Sequence, residues 1–172
     1  MHPLNKFKYC PVCGSIHFDE NSDKSKKCLN CQFEYYMNPA AATAAFIFNG
    51  KDELLVLKRK KEPAKGMYDL PGGFADIGET AEEGMAREVK EETGLTVKSM
   101  RYLFSQPNIY RYSGFDVRTL DLFYACEVVD DSHVSPHDDA EAYLWIPVED
   151  IRPELFGLRS IREAIRKYFS QE

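Results

Sequence analysis

Residues 73–95 read GFADIGETAEEGMAREVKEETGL, from Gly73 to Leu95. Glu88, Glu91 and Glu92 in this stretch are spaced i, i+3 and i+4, so in a helix they share one face. Like charges at that spacing repel each other, whereas a hard divalent cation needs clustered oxygen ligands. The stretch therefore predicts a Mg²⁺ site on a helix, and carboxylate-held Mg²⁺ commonly acts on phosphates. The alternative is a solvated acidic helix face.

The same stretch has a fixed spacing of glycine, glutamate and arginine. Gly73 is followed after five residues by Glu79, and after seven more by the pair Arg87-Glu88. The pair Glu91-Glu92 and Gly94 complete the pattern. This spacing resembles the Nudix box at every fixed position. The resemblance extends over residues 40–170, and it implies an α/β/α sandwich with a mixed sheet that hydrolyses nucleoside diphosphates linked to another moiety.

The resemblance also implies roles for individual residues. The carbonyl of Gly73 is expected to contribute to a metal site, Arg87 to hold the box carboxylates in position, and Glu79 to orient or tune the site. The expected Mg²⁺ or Mn²⁺ ligands on the helix are Glu88, Glu91 and Glu92.

The box does not fix the general base. In some members of the family a box glutamate is the general base, and for that reason we predict that Glu91 is catalytic. In others the base is an acid from a late loop, which in this chain offers Asp138, Asp139 and Glu141. We prefer Glu141 among these three, and a solvated acidic loop is the alternative.

Two CxxC motifs precede the box. Cys10 and Cys13 form the first, and Cys28 and Cys31 form the second, fourteen residues further on. Four thiolates from two tight turns complete a tetrahedral Zn²⁺ shell, which leaves no open position for catalysis. The alternatives, two disulfides or a redox CxxC, are disfavoured by a reducing cytosol and by the duplicated motif. The pattern predicts a structural zinc ribbon.

Length and composition allow one ordinary domain with a small appendage. We place a zinc ribbon at residues 1–38 and a Nudix domain at residues 39–172. The net charge of −6 disfavours a broad nucleic-acid surface. The N-terminus lacks the pattern of a secretory signal, and the longest apolar run, residues 40–48, is too short to span a bilayer. We therefore expect a cytoplasmic protein with no membrane partner.

The hydrophobic pattern predicts strands at residues 40–48 and 53–57, joined as a hairpin at Asn49-Gly50. It predicts further strands at residues 95–104 and 120–129, separated by a turn-rich stretch, and a short strand at residues 143–146. Helices are predicted at residues 80–93, opened by a capping box at Thr80, and at residues 158–169. The basic loop at residues 58–67 is expected to be mostly solvated, with one or two side chains able to reach a substrate phosphate.

The order of zinc ribbon and Nudix domain resembles the NADH pyrophosphatase branch of the family. The branch marker, Ser-Gln-Pro-Trp-Pro-Phe-Pro-any-Ser, aligns with residues 105–113, SQPNIYRYS. Asn108 replaces the tryptophan, and Ile109 and Arg111 replace two prolines, so the chain departs from the marker where an aromatic side chain is expected. The candidate substrate contacts are Gln106, Arg111 for phosphate, and Tyr110 and Tyr112 for stacking. Ordinary packing of the tyrosines is the alternative.

These patterns lead to a metal-dependent hydrolase of small nucleotides, with NADH-like dinucleotides and ADP-ribose as leading substrates. Nucleic acid is not expected as a partner, except NAD-capped RNA, on which some members of the resembling branch act. That branch also implies a ribbon that stiffens the N-terminus or supports a homodimer. The alternative from another class is a sensing or nucleic-acid-binding module without catalysis, although such modules usually lose a box carboxylate.

Overall fold

The computed structural model describes residues 2–135 and 140–170. The chain divides into two compact units, Met1–Pro39 and Ala40–Glu172. The boundary predicted from the sequence, after residue 38, lies beside this division. Within the described residues, no helix is long and apolar enough to cross a membrane.

The first unit is a small antiparallel sheet with little core of its own. Its strands, in the spatial order β1-β2-β3, are β1 (Phe18–Ser22), β2 (Ser25–Cys28) and β3 (Glu34–Tyr36). Its buried apolar cluster contains Phe18, Cys10 and Cys28, with Phe33 packed against them, and Leu4 is also buried. A core this small seldom stabilises so short a segment, which fits the expectation of a metal clip.

The second unit contains two mixed or antiparallel three-stranded sheets and two helices. Its elements are β4 (Ala40–Ile47), β5 (Glu53–Arg59), β6 (Tyr68–Asp69), α1 (Ala81–Thr93), β7 (Val97–Tyr112), β8 (Phe115–Val128), β9 (Ala140–Pro147) and α2 (Arg159–Phe169). One sheet has the order β4-β8-β7, with β4 parallel to β8; the other has the order β6-β5-β9 and is antiparallel. Two 3₁₀ turns, Val148–Asp150 and Pro153–Leu155, connect β9 to α2.

Alternation along the buried strands sorts the core into two clusters. Ala44 and Phe46 of β4 pack in a cluster with Ile161 and Ile165 of α2. The intervening residues of β4, including Ile47, face the opposite cluster, to which α1 contributes Met85 and Val89. Because successive strand side chains point to opposite faces, one strand layer is covered on both sides, as the predicted α/β/α sandwich requires.

The helix that carries the box has the predicted ends. The side chain of Thr80 accepts a hydrogen bond from the backbone N–H of Glu83, and the Glu83 carboxylate accepts one from the N–H of Thr80. Gly94 ends the helix with a left-handed backbone, φ 74°, and donates its N–H to the carbonyl of Lys90. The caps fix which residues are helical and therefore which carboxylates share a face.

The predicted hairpin at Asn49-Gly50 is wrong, although the turn is present. The Asn49 side-chain oxygen accepts from the N–H groups of Lys51 and Glu53, so the chain reverses there. The strands on either side, β4 and β5, belong to different sheets. They share an isolated bridge between Phe48 and Leu54 but do not form a hairpin ladder. Turn chemistry is local, whereas the choice of strand partner depends on the whole fold.

The predicted turn-rich stretch between the third and fourth long strands is also wrong. β7 and β8 form one long hairpin, which turns at Ser113 and Gly114, both with positive φ. Pro107 lies inside β7, where it would be expected to break a strand. It is tolerated because β7 is at the edge of its sheet, where a residue without an N–H costs little.

Candidate active site

Arg87 organises the carboxylates of the box. Its guanidinium donates two hydrogen bonds to Glu79, at 2.8 and 3.0 Å, and one each to Glu88, at 2.8 Å, and Glu91, at 3.0 Å. A fifth bond, 3.0 Å long, goes to the backbone carbonyl of Phe74. The planar fork of arginine fits such paired acceptors. One side chain thus ties the preceding loop to the helix.

The loop before the helix lies along the free edge of β4. The N–H of Thr43 donates to the carbonyl of Gly73, and the N–H of Ala75 donates to the carbonyl of Ala41. At Gly72, φ is 153° and an added Cβ would lie 2.1 Å from the Thr43 carbonyl oxygen. Glycine is therefore required at this position by both backbone conformation and space.

Glu88 and Glu92 are brought against this loop. An added Cβ on Gly73 would lie 2.6 Å from the carboxylate of Glu88, so the absence of a side chain lets the two meet. Glu92 accepts a hydrogen bond from the N–H of Gly72 at 2.9 Å. The carbonyl of Gly73 keeps one lone pair after its bond to Thr43, so it remains available as a metal ligand.

Charge and burial act differently on the individual acids. Hydrogen bonds from Arg87 and from the N–H of Asp76 lower the pKa of Glu79. Burial raises the pKa of Glu88, and Arg87 opposes that effect. The same carboxylates raise the pKa of Arg87, which stays protonated. Several carboxylates thus share the single positive charge of the Arg87 guanidinium. A divalent metal ion at the box would reduce the repulsion between these carboxylates.

The box acids differ in exposure and direction. Glu88 has 16% of its side chain exposed and Glu91 has 50%. Glu88 and Glu92 line a cavity of about 530 Å³, whereas Glu91 lies beside them on the solvent side of Arg87. The helix therefore brings together the three acids predicted from spacing, with two of them facing the cavity.

The cavity combines charged, aromatic and apolar walls, and its volume suits a nucleotide-sized ligand. Its basic lining residues are Lys58, Arg59 and Lys61, which belong to β5 and to the loop expected to be mostly solvated. The remaining lining residues come from β4, β5, β6, β7, β8, α1, the start of α2 and the loop before α1.

Of the four predicted substrate contacts, two line this cavity. Tyr110 and Tyr112 do so, with their rings stacked 6.5 Å apart, and Tyr110 meets Phe74 edge to face. Arg111 lies between them on a strand, so it points away from the cavity; it pairs with Asp116 in solvent. Gln106 shares the face of Tyr110 but lies beyond the lining residues, with a buried side-chain nitrogen.

Glu141, the preferred general base, lies in β9 and is half exposed. Its carboxylate is 3.4 Å from the ammonium of Lys58, which lines the cavity. Asp138 and Asp139, the other acids of that loop, lie outside the described residues.

Sequence reasoning missed a set of buried polar residues in the cavity. Arg59 forms an ion pair with Asp69, and desolvation raises the pKa of Asp69 against the effect of the guanidinium. Asp121 accepts hydrogen bonds from Asn108 and Thr119. Polar residues at every second position of a strand usually indicate a solvated face, so the sequence carried no signal that these side chains are enclosed.

The four cysteines of the first unit form a separate cluster. The sulfur atoms of Cys10 and Cys31 are 3.7 Å apart, and those of Cys13 and Cys28 are 3.6 Å apart. Sulfurs at the corners of a tetrahedral zinc site, with Zn–S bonds of about 2.3 Å, are about 3.8 Å apart, whereas a disulfide needs about 2 Å. The N–H of Ser15 and the amide of Asn30 lower the pKa of Cys13 to about 6, which favours the thiolate.

The cysteine cluster is the one group within the described part of the chain where three or more His, Cys, Asp or Glu ligand atoms all lie within 4.8 Å of one another. The donor set and its spacing fit a metal ion. This bears out the prediction that the paired CxxC motifs come together.

Comparison with known proteins agrees with this geometry. The family model of the NUDIX domain matches residues 37–168. The chain is 35% identical over 100 residues to the "NAD-capped RNA hydrolase NudC" of Shigella flexneri, a match that covers 58% of this chain and 38% of the relative. The chain thus spans well under half the length of the curated relatives that it matches.

Solved structures show the same fold. A NUDIX hydrolase from Nitrosomonas europaea superposes with a TM-score of 0.73 at 20% identity, covering 96% of this chain and 92% of that one. The MutT protein of Methanosarcina mazei Go1 superposes with a TM-score of 0.61 at 26% identity, covering 80% of this chain and 98% of that one. With the family match over most of its length, the chain belongs to the Nudix family.

Proposed function

We propose that the protein is a metal-dependent hydrolase of the pyrophosphate bond in nucleoside diphosphates linked to another moiety. The observation that carries this proposal is the arrangement of box acids around Arg87 at one wall of a cavity whose other walls supply Lys58 and Arg59. Acidic groups that hold a cation and basic groups that meet phosphate oxygens are both needed for this reaction.

The metal would be held by Glu88 and Glu92, with the carbonyl of Gly73 and with Glu91 as a further ligand. Bound Mg²⁺ or Mn²⁺ supplies charge neutralisation of the phosphates and a more acidic water. Gly73 allows the Glu88 carboxylate to lie against the loop, and the N–H of Gly72 fixes Glu92. Glu79 acts through Arg87, whose position it sets with two hydrogen bonds.

Glu141 is proposed as the general base, with Glu91 as the alternative. Glu141 reaches the cavity rim through its contact with Lys58, which keeps the carboxylate near the basic wall. Glu141→Gln should lower kcat at neutral pH without weakening metal binding. An unchanged kcat in this variant, together with a lost kcat in Glu91→Gln, would transfer the role to Glu91.

The leading substrates are NADH-like dinucleotides and ADP-ribose, with NAD-capped RNA as a larger candidate. Support comes from the likeness to a relative named for NAD-capped RNA hydrolysis and from Tyr110 and Tyr112, which line the cavity with stacked rings. Cleavage should release a nucleoside monophosphate and the other phosphorylated half.

The four cysteines are proposed to hold a structural Zn²⁺ in a ribbon at residues 1–38, ahead of a Nudix domain at residues 39–172. The sulfur separations of 3.6 and 3.7 Å support zinc over disulfides. A homodimer and a cytoplasmic location are further parts of the proposal; sedimentation velocity of the purified chain tests the first.

The deciding experiment is a substrate panel in Mg²⁺ and in Mn²⁺. NADH, NAD, ADP-ribose, dinucleoside polyphosphates and NAD-capped RNA are incubated with the protein, and the products are identified by mass. Hydrolysis of none of them, under conditions where metal binding is shown by calorimetry, would overturn the proposed activity.

A further inference from the structure

The cavity lining includes a buried carboxylate that the box chemistry does not use. Asp121 of β8 lines the cavity and is only 7% exposed. One of its oxygens accepts from the Thr119 hydroxyl at 2.5 Å, and the other accepts from the Asn108 amide at 3.1 Å. A carboxylate has about four lone-pair sites, so acceptor capacity remains.

Asp121 has no cationic partner in the part of the chain that the structure describes. Arg59, which also lines the cavity, is paired with Asp69 instead. An enclosed negative charge is costly unless hydrogen-bond donors satisfy it. A ligand that brings a donor to Asp121 would supply what the protein leaves open, whereas a phosphate would be repelled.

A buried polar atom without a partner in the described part of the chain belongs to a residue of the cavity lining, and another lies opposite Asp121 in the sheet. Ser160, at the start of α2, lines the cavity at 1% exposure, and its hydroxyl has no hydrogen-bond partner among the described residues. Gln106 is directly opposite Asp121 in the β7–β8 ladder, and its buried side-chain nitrogen is also unpartnered there. Buried groups of this kind are normally satisfied, so together they indicate a place that a ligand completes.

We propose that the cavity wall around Asp121 is a subsite for a ligand group with an N–H donor next to an acceptor. Asp121 accepts from the donor, and the Ser160 hydroxyl donates to the acceptor. A primary amine on a heteroaromatic ring and a primary carboxamide both have this pattern, so the adenine and the nicotinamide ends of a dinucleotide are two sources of one chemistry. The inference rests on the proposed function only in taking the cavity as a nucleotide site.

The orientation of the ligand follows from the charges. The basic and metal-binding walls attract phosphates, and Asp121 excludes them, so the donor-bearing ring enters first and the diphosphate stays near Glu88. Tyr110, which also lines the cavity, offers a ring face for the base.

The test measures binding of mononucleotide pairs by calorimetry, without turnover. AMP is compared with purine ribonucleoside monophosphate, which has hydrogen in place of the amino group, and nicotinamide mononucleotide is compared with nicotinic acid mononucleotide. Wild-type protein should favour the donor-bearing member of one pair by about 10- to 100-fold, the range for a buried hydrogen bond to a charged group. The pair that is discriminated identifies the source.

Asp121→Asn keeps shape but removes charge, and it should reduce that discrimination by about tenfold. Glu127→Gln, on the exposed part of the same strand and bonded to Ser99, is the matched control and should bind like wild type. If Asp121→Asn does not fold by circular dichroism, Ser160→Ala replaces it, because its unpartnered hydroxyl contributes no bond to the fold. That variant should lose about threefold in discrimination.

The subsite is overturned if the wild type binds neither pair selectively, or if the folded variants keep full discrimination. Failure of the two proposals is distinguishable. Selective binding without hydrolysis in either Mg²⁺ or Mn²⁺ would refute the proposed activity but support the subsite. Hydrolysis without selective binding would support the proposed activity but refute the subsite.

Discussion

Arg87→Lys is expected to lower the free energy of unfolding by about 2 kcal/mol in metal-free buffer. Arg87 donates five hydrogen bonds, four of them to the carboxylates of Glu79, Glu88 and Glu91. A lysine ammonium has three donors and no planar fork, so at least two bonds are lost, each worth about 1 kcal/mol net at a partly exposed site. The substitution keeps the charge and therefore isolates the geometry.

Divalent ion should restore part of this loss. If the acids hold a cation, Mg²⁺ binds the folded state and stabilises it by mass action. In the variant, the oxygens of Glu88 and Glu91 have lost hydrogen bonds from Arg87, so Mg²⁺ competes with fewer bonds and stabilises the variant more than the wild type. Urea unfolding is measured with EDTA and at several Mg²⁺ concentrations, along with kcat/KM. We expect the midpoint difference between variant and wild type to narrow as Mg²⁺ rises, while kcat/KM stays well below the wild-type value.

Arg159→Lys is the matched control, because Arg159 pairs with Glu163 on the exposed side of α2 and has 79% of its side chain in solvent. It should unfold like wild type. If Arg87→Lys also unfolds at the wild-type urea concentration in EDTA, Arg87 does not hold the box together and the reasoning fails.

Glu92→Gln should keep the fold, since its amide oxygen can still accept from Gly72, but it should lower kcat by about 100-fold or more because an amide is a poor Mg²⁺ ligand; wild-type turnover would remove Glu92 from the ligand set. Removal of zinc from the cysteine cluster should lower the melting temperature in calorimetry more than it lowers kcat, and an unchanged melting curve after verified zinc loss would defeat the structural role. Hydrogen bonds from Thr80 lower the pKa of Glu83, so its contribution to stability is present above the ordinary pKa of 4.5 and is lost as pH falls through the lowered value. Urea midpoints from pH 7 to pH 3 should therefore fall less in Glu83→Gln than in wild type, and identical pH profiles would contradict this.

The helix and its site were predictable because their signals are local. Thr80 and Gly94 mark the two ends of α1, and the i, i+3, i+4 spacing then places Glu88, Glu91 and Glu92 on one face whatever surrounds them. The cysteine cluster was predictable for the same reason, since each CxxC brings two thiols together within one turn.

Strand pairing was not predictable in the same way. Asn49-Gly50 correctly indicated a turn. The flanking strands, however, pair with strands far away in the sequence: β4 pairs with β8, and β5 pairs with β9. The stretch between residues 104 and 120 was predicted to be rich in turns, but most of it belongs to the long strands β7 and β8. These outcomes depend on which strand lies next to which, and no short window of sequence contains that information.

The sequence by itself determined the box helix, the cysteine pairs and the family, because each depends on residues a few positions apart whose geometry is set by the local backbone. Only the tertiary structure decided what encloses the cavity. Asp121, Gln106 and Ser160 come from two strands and a helix, and along the chain they look like ordinary polar positions. Asp121 and Ser160 become buried in the wall of one cavity, and the Gln106 side-chain nitrogen is buried beyond that wall. The packing of separate elements, and not the local backbone, determines which side chains lose contact with water.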